Sequence, residues 1–501
     1  MTVRQIAADY AGCGEVLRRY GETDRPGIKF GHLEPLERFA QRRGIECKTL
    51  LRELAAAAQV ETAPDSSLER NVHRPFIVLA LADALSIGAG WGAWLLWQIG
   101  RAENFNAATA GSIVAHGEAQ LWGFIVPFIV GIALRYLPVA TPRRPVSPRL
   151  GRAIFCFLLF GIAGGFAWSL SPGRMPWLGP ASGAGLIVAA GTYLLIVSSF
   201  VATKLRLTWS RFVLCSASCL CIWAVYAFWL RARFSVFGPG VFADSARLRM
   251  LELAVFGFAM NAIYGFGLRL LPGLVGLGSP KSGPIESAFW LHNSGVVAII
   301  AGSQISWANT LGTVAIAVAA IVYVLGMRGF RSSRPRRLAK GETSLRPEIG
   351  ERFLRRYVQL AFVWLLVSLT MLAIGGAHSA WHAKSDSHQF IGAARHGLTV
   401  GFMSLLIMGV AQRILPVLGQ TLLAWPRLVR PIFALVAAGC LLRVVTELAS
   451  ESWPMAYRVM PYSALCELTA FALFSANCLR TLWPPRDSLF RKGGVTERSS
   501  L

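Results

Sequence analysis

The sequence predicts an all-α polytopic membrane protein with about twelve transmembrane helices, a three-fold internal repeat and a small soluble helical domain at the amino terminus. Three observations carry that prediction. The 501 residues are 54% hydrophobic and only 15% charged, with a mean hydropathy of +0.49, too apolar for a soluble chain of this length. Twelve apolar stretches each approach the ~20 residues that a bilayer core requires. One composite motif recurs three times at fixed spacing, the mark of a repeated architecture.

The first copy reads His116-Gly117-Glu118, then Gly123-Phe124, Gly131, Arg135 and Pro138. The second gives Gly257-Phe258, Gly265, Arg269 and Pro272, and the third Arg395-His396, then Gly401-Phe402, Gly409, Arg413 and Pro416. Each has Gly-Phe, a glycine eight residues after the first, an arginine, and a proline seven residues after that second glycine. Only the outer copies carry a histidine near the start; the middle copy offers Met250 and Glu252 there.

Residues 1–62 differ from everything after them. They are charged, with apolar residues at helical spacing in Glu15–Gly21 and Pro35–Ala40 and a third helix from Cys47 to Ala58, which predicts a soluble helical domain. A polar linker follows over 63–74. Residues 75–480 form the membrane domain, with spans near 75–99, 112–138, 152–171, 179–203, 211–232, 247–273, 287–305, 308–328, 356–377, 393–416, 429–449 and 457–480. Residues 481–501 are read as a cytoplasmic tail.

An even number of spans puts both termini on one side. Arg143, Arg144, Arg149 and Arg152 after the second span, the basic run Arg328 to Arg337 after the eighth, and Arg427 with Arg430 after the tenth share that side. The positive-inside rule makes it the cytoplasm, so the expected location is the bacterial inner membrane with both termini cytoplasmic. Arg231, Arg233, Arg247 and Arg249, between spans five and six, break the pattern. The formal net charge of +24 therefore belongs to membrane topology; membrane lipid is the expected partner and nucleic acid is not. No signal peptide opens the chain.

The nine cysteines form no secreted framework: Cys156, Cys215, Cys219, Cys221, Cys440, Cys466 and Cys478 fall inside apolar spans, where cysteine packs as a small residue. Cys215, Cys219 and Cys221 crowd one helix and are read either as packing or as soft-metal ligands. The repeat arginines Arg135, Arg269 and Arg413 fit snorkelling at helix ends, and the glycines fit close helix approach.

His116 and His396 stand near the starts of corresponding helices. An imidazole at membrane depth needs a hydrogen-bond partner or a metal. Two facing imidazoles suit the two axial positions of a b-type haem, whose porphyrin fills apolar space between helices; each histidine bonding a neighbouring helix is the alternative. Glu118 and Arg395 are candidate supporting groups. His292, in span seven, is a candidate metal ligand, as are His378, His382 and His388, which lie in the loop before span ten at spacings suited to a divalent metal.

Arg395-His396-Gly397-Leu398-Thr399-Val400-Gly401-Phe402, with Met408-Gly409-Val410 and Gln412-Arg413, resembles the signature helix of the NnrS family, membrane proteins of the nitric oxide response reported to contain haem and copper. That resemblance implies a membrane haem protein acting under nitrosative stress, with His116 and His396 as ligands and nitric oxide as partner; it names no electron donor. The family's His-x-His pattern on the first histidine helix is reduced here to His116. Twelve spans in three four-helix arcs also resemble haem-copper oxidase subunit I, whose low-spin haem is held from helices two and ten. The oxidase copper would need about three imidazoles from helices six and seven, where this chain has only His292. The first 55 residues, through Thr2-Val3-Arg4-Gln5-Ile6, Arg18-Arg19-Tyr20-Gly21 and Leu50-Leu51-Arg52-Glu53-Leu54, resemble the ScdA N-terminal domain of iron-centre repair proteins. The Cys-Cys pair that follows Tyr-Gly in that family is replaced by Glu22-Thr23-Asp24-Arg25-Pro26. A divergent haem-copper oxidase or nitric oxide reductase and a cofactor-free secondary transporter are the competing functions.

Overall fold

The structure, a computed structural model, describes residues 3, 6, 10, 12–21, 36, 39–40, 43–58 and 71–483, apart from 142, 239–243, 276, 278, 303–304, 331–348, 383–386 and 420. Most of the predicted linker, the basic run beyond Phe330, the stretch replacing the Cys-Cys pair and the carboxy-terminal tail beyond Trp483 lie outside the described residues. Among the described residues every regular element is helical.

Among the described residues eleven helices are long and apolar enough to cross a membrane. Spans one to six are Arg74–Ala102, Ala110–Ala140, Pro148–Leu170, Leu178–Lys204, Thr208–Phe237 and Leu248–Val275; spans eight to twelve are Trp307–Gly326, Phe353–His382, His388–Gly419, Pro426–Ala449 and Met455–Leu482. The seventh predicted span forms the helix Ser282–Ala301, where Glu286, His292 and Asn293 dilute the apolar run below that of the other eleven. Residue types explain the helix ends: Pro148 starts span three at a position needing no intrahelical donor, and Gly238, at φ 78°, closes span five in a conformation that a Cβ disfavours.

The three motif-bearing spans are the innermost. The most apolar stretches of spans two, six and ten are 89%, 78% and 78% buried, against 33–50% for the other eight, so those three form the centre and the rest face lipid. Consecutive outer spans pack in series, three on four on five, seven on eight on nine, and eleven on twelve on one, and each series closes on an inner helix. The result is three arcs of three outer helices, each completed to four by one of the three inner helices.

The repeated glycines specify that closure. A Cβ on Gly131, Gly265 or Gly409 would press on Phe76 of span one, Val213 of span five or Tyr357 of span nine; one on Gly123, Gly257 or Gly401 would meet Asp83, Cys219 or Trp364 of the same three helices. Apolar burial drives little helix association inside lipid, so close backbone approach through small residues supplies the packing energy. Each copy also contains a π-helical stretch around its Gly-Phe pair, Ala119–Ile125, Leu253–Met260 and Gly397–Ser404, a feature common at functional sites. The repeat arginines differ in exposure: Arg135 is buried, 7% exposed, while Arg269 lies over the Trp209 ring. A separate small apolar core joins Val3, Val16, Leu17, Phe39, Leu50 and Leu54 of the amino-terminal segment.

Candidate functional site

Counted back from the Gly-Phe pair, Glu118, Glu252 and His396 occupy one repeat position, each just before its π-helical stretch, and His116 stands two residues earlier. Each inner helix presents this position to a different neighbour. Glu118 ion-pairs with Arg231 of span five at 2.8 Å, Glu252 lines a cavity against spans eight, nine and ten, and His396 faces Glu447 of span eleven. The two histidines are therefore close in depth without being strict repeat equivalents.

His116 is anchored across a helix boundary. Its Nδ1 lies 3.1 Å from the carbonyl of Gly88 in span one. Span one passes through a π-helical turn over Ala84–Gly88, and Gly88 leaves helical geometry at ψ −107°, which turns its carbonyl out of the helix ladder. Gly92, one turn further on, lies against the imidazole: a Cβ there would sit 2.5 Å from Cε1 of His116. Span one is thus shaped around this ring.

His396 is held in the same sense. Its Nδ1 lies 2.9 Å from the carbonyl of Gly392 and 3.0 Å from Oε2 of Glu447. For both histidines only acceptors surround Nδ1, so Nδ1 carries the proton and the lone pair resides on Nε2. Among the described residues no hydrogen bond reaches either Nε2. The two rings lie within electrostatic range of each other. This is the protonation and anchoring that an axial imidazole requires.

The surroundings of His396 carry more charge than the sequence analysis anticipated. Glu447 is 2% exposed and forms an ion pair with Arg443, one turn earlier on span eleven, at 3.4 Å. Nε and Nη1 of Arg443, Oε2 of Glu447 and Oε1 of Glu467 in span twelve are buried without a hydrogen bond, the last two carboxylate oxygens lying in the charged cluster around His396. Guanidinium donors left unmet at this depth are unfavourable, and those of Arg443 fit a cofactor that brings its own carboxylates. The donor set, two imidazoles with unbonded Nε2 and a guanidinium with unmet donors, fits haem.

His292 is placed differently. It is fully buried, with Nε2 3.0 Å from the carbonyl of Phe256, its ring edge-on to Tyr264 and Nδ1 buried without a hydrogen bond. His378 and His382 lie one turn apart at the end of span nine with ring centroids 4.6 Å apart, whereas His388, at the start of span ten, packs on Phe105. Among the described residues no group of three His, Cys, Asp or Glu side chains is arranged to hold a metal ion.

Glu118 is ion-paired away from His396, and Arg395 lines the cavity between spans six, eight, nine and ten. Arg231 donates to both Glu118 and the hydroxyl of Ser182, and a Cβ on Gly165 would strike its guanidinium. That pair also accounts for part of the broken arginine pattern, because Arg231 belongs to the buried face of span five and to no loop. Sequence reasoning passed over Glu447, Arg443, Glu467 and Asp83. Asp83 in span one is 4% exposed, has both carboxyl oxygens without a hydrogen bond, and faces Gly123. The signal available was the rarity of any charge inside an apolar span.

Comparison with known proteins bears on the whole membrane region. No curated protein matches the sequence. A cryo-EM structure of a haem-copper terminal oxidase dimer is similar in fold, with a TM-score of 0.46 and 10% identity, over 84% of this chain and 85% of that one. The family model described as NnrS protein matches residues 68–486, which takes in all twelve helices, the three repeat copies and both anchored histidines, and the chain belongs to the NnrS family.

Proposed function

We propose that this NnrS-family chain is a membrane haem protein of the nitric oxide response, with His116 and His396 supplying one imidazole to each face of a b-type haem. The observation that carries this reading is the shared state of the two rings: each Nδ1 is committed to an acceptor, each Nε2 lone pair is free, and both rings stand on inner helices of the bundle. Bound haem would supply a redox-active iron; the chain's residues orient the two imidazoles and hold Arg443 where an anionic group would meet it.

The bacterial inner membrane with cytoplasmic termini is the orientation that fits best. Burial of Arg231 in an ion pair removes one of the four arginines that opposed it. The amino-terminal helical segment, through its likeness to the ScdA N-terminal domain, points to protection or repair of iron centres under nitrosative stress. Growth recovery after a pulse of a nitric oxide donor tests the role, using a deletion strain that carries the gene, His116→Ala or His396→Ala. The wild-type gene restores recovery and the variants do not. Full restoration by either variant, present in the membrane at the wild-type level, contradicts the reading.

A further inference from the structure

Spans six, eight, nine and ten line a half-open cavity of about 270 Å³. Its walls are mostly apolar, with Leu251, Val255, Phe256, Leu372, Phe390 and Leu398 among them, and two charged side chains enter it, Glu252 and Arg395. These feel each other's charge, yet neither makes an ion pair or hydrogen bond with the other or with any other described residue. Asn309 lines the same cavity, and its side-chain carbonyl is buried without a hydrogen bond. By contrast, the hydroxyls of Thr310, Thr313 and Thr399 in the same wall are each satisfied by a backbone carbonyl, at 2.9, 3.0 and 2.9 Å.

A half-buried guanidinium, a half-buried carboxylate and an amide carbonyl whose oxygen is buried thus meet at one gap without a described partner, and the carbonyl oxygen lacks the compensation that a buried polar atom requires. Their chemistry is selective. The guanidinium suits a phosphate or carboxylate oxygen, whereas the carboxylate and the carbonyl suit an ammonium. A lone anion would face Glu252 and a lone cation would face Arg395, so the cavity disfavours both. We propose that it binds a zwitterion with an apolar body, the anionic group on Arg395 and the ammonium on Glu252 and Asn309.

The site lies within about three turns of one end of the bundle, since its residues come from the first turns of spans six, eight and ten and the last turns of span nine. That depth admits two sources of the same chemistry: the headgroup of phosphatidylethanolamine or a free apolar amino acid. The assignment does not depend on haem.

Thermal unfolding and saturation binding of the full-length protein in detergent separate these cases, with dihexanoyl phosphatidylethanolamine, dihexanoyl phosphatidylglycerol and L-leucine as probes. A zwitterionic probe is expected to bind saturably and raise the unfolding midpoint, while phosphatidylglycerol does neither. A response to phosphatidylethanolamine assigns the lipid, and a response to L-leucine the soluble source. Arg395→Gln and Glu252→Gln should each weaken binding at least about tenfold. Asn309→Leu, which leaves both charges in place, provides the same check if a charge variant does not fold. Equal binding of phosphatidylglycerol, no binding of either zwitterion, or unchanged affinity in the variants that fold overturns the proposal.

Discussion

Nδ1 of His396 in span ten stands 3.0 Å from the carboxylate of Glu447 in span eleven, whose side chain is 2% exposed. A buried carboxylate on the far nitrogen of an imidazole fixes the ring's orientation and raises the basicity of the nitrogen that faces the cofactor space. Glu447 is in turn positioned by Arg443, one turn away on the same helix. The pair links two helices that belong to different arcs, so the geometry at His396 is set by packing of the whole bundle.

Glu447→Gln removes that negative charge while keeping the side chain's shape. The expected result is a haem midpoint potential above that of the wild type and iron ligation weakened by about tenfold or more. Redox titration of the purified variant measures it; an unchanged potential with haem bound shows that Glu447 does not act on the ligand.

Gly92 gives a test that leaves every ligand in place. The Cβ of Gly92→Ala would meet the His116 ring at 2.5 Å, so the imidazole must move and haem content should fall. Gly191→Ala, where a Cβ meets nothing within 4 Å, serves as the matched control and should keep full haem content. It is also expected to gain about 0.5–1 kcal/mol from helix propensity. Haem per protein, read from the pyridine haemochromogen, compares the two.

The Glu118–Arg231 pair predicts strong non-additivity. Glu118→Met or Arg231→Met alone strands a buried charge, at a cost of about 3 kcal/mol, whereas the double substitution should return to within about 1 kcal/mol of wild type. Thermal unfolding in detergent closes the cycle; additive losses would mean that the two side chains do not interact.

In the amino-terminal segment the thiol of Cys13 donates to the carbonyl of Leu54 at 3.2 Å, and burial raises its pKa above the ordinary thiol value. A raised pKa leaves less thiolate at any given pH, so alkylation should be slow near neutrality and accelerate only as the pH climbs toward that raised value. Mass-spectrometric labelling of the native protein should find Cys13 largely unmodified at pH 7.5 and rapidly modified once urea unfolds the segment.

The spans and the repeat were legible because apolar run length and glycine spacing are one-dimensional signals. His116 and His396 stood out since a histidine inside an apolar run is rare. The register of the repeat was equally present in the sequence: counting back from Gly123, Gly257 and Gly401 puts Glu118, Glu252 and His396 at one position. It was obscured because only two of the three copies show histidine. Arg231 read as a loop residue because the apolar window ends beside it, and only its contact with Glu118, 113 residues away in the chain, explains its burial. The π-helical turns were illegible, since one extra residue per turn leaves hydropathy unchanged. The partner of His116 is a backbone carbonyl, which carries no side-chain signature at all.

The reduced-minus-oxidised visible spectrum of the purified protein, recorded beside His116→Ala and His396→Ala, tests the central claim most directly. The account predicts sharp low-spin b-type bands in the wild type, lost in either variant while both still elute as folded protein. Low-spin bands that persist unchanged in both variants, or a colourless wild type expressed with ample haem, would contradict it.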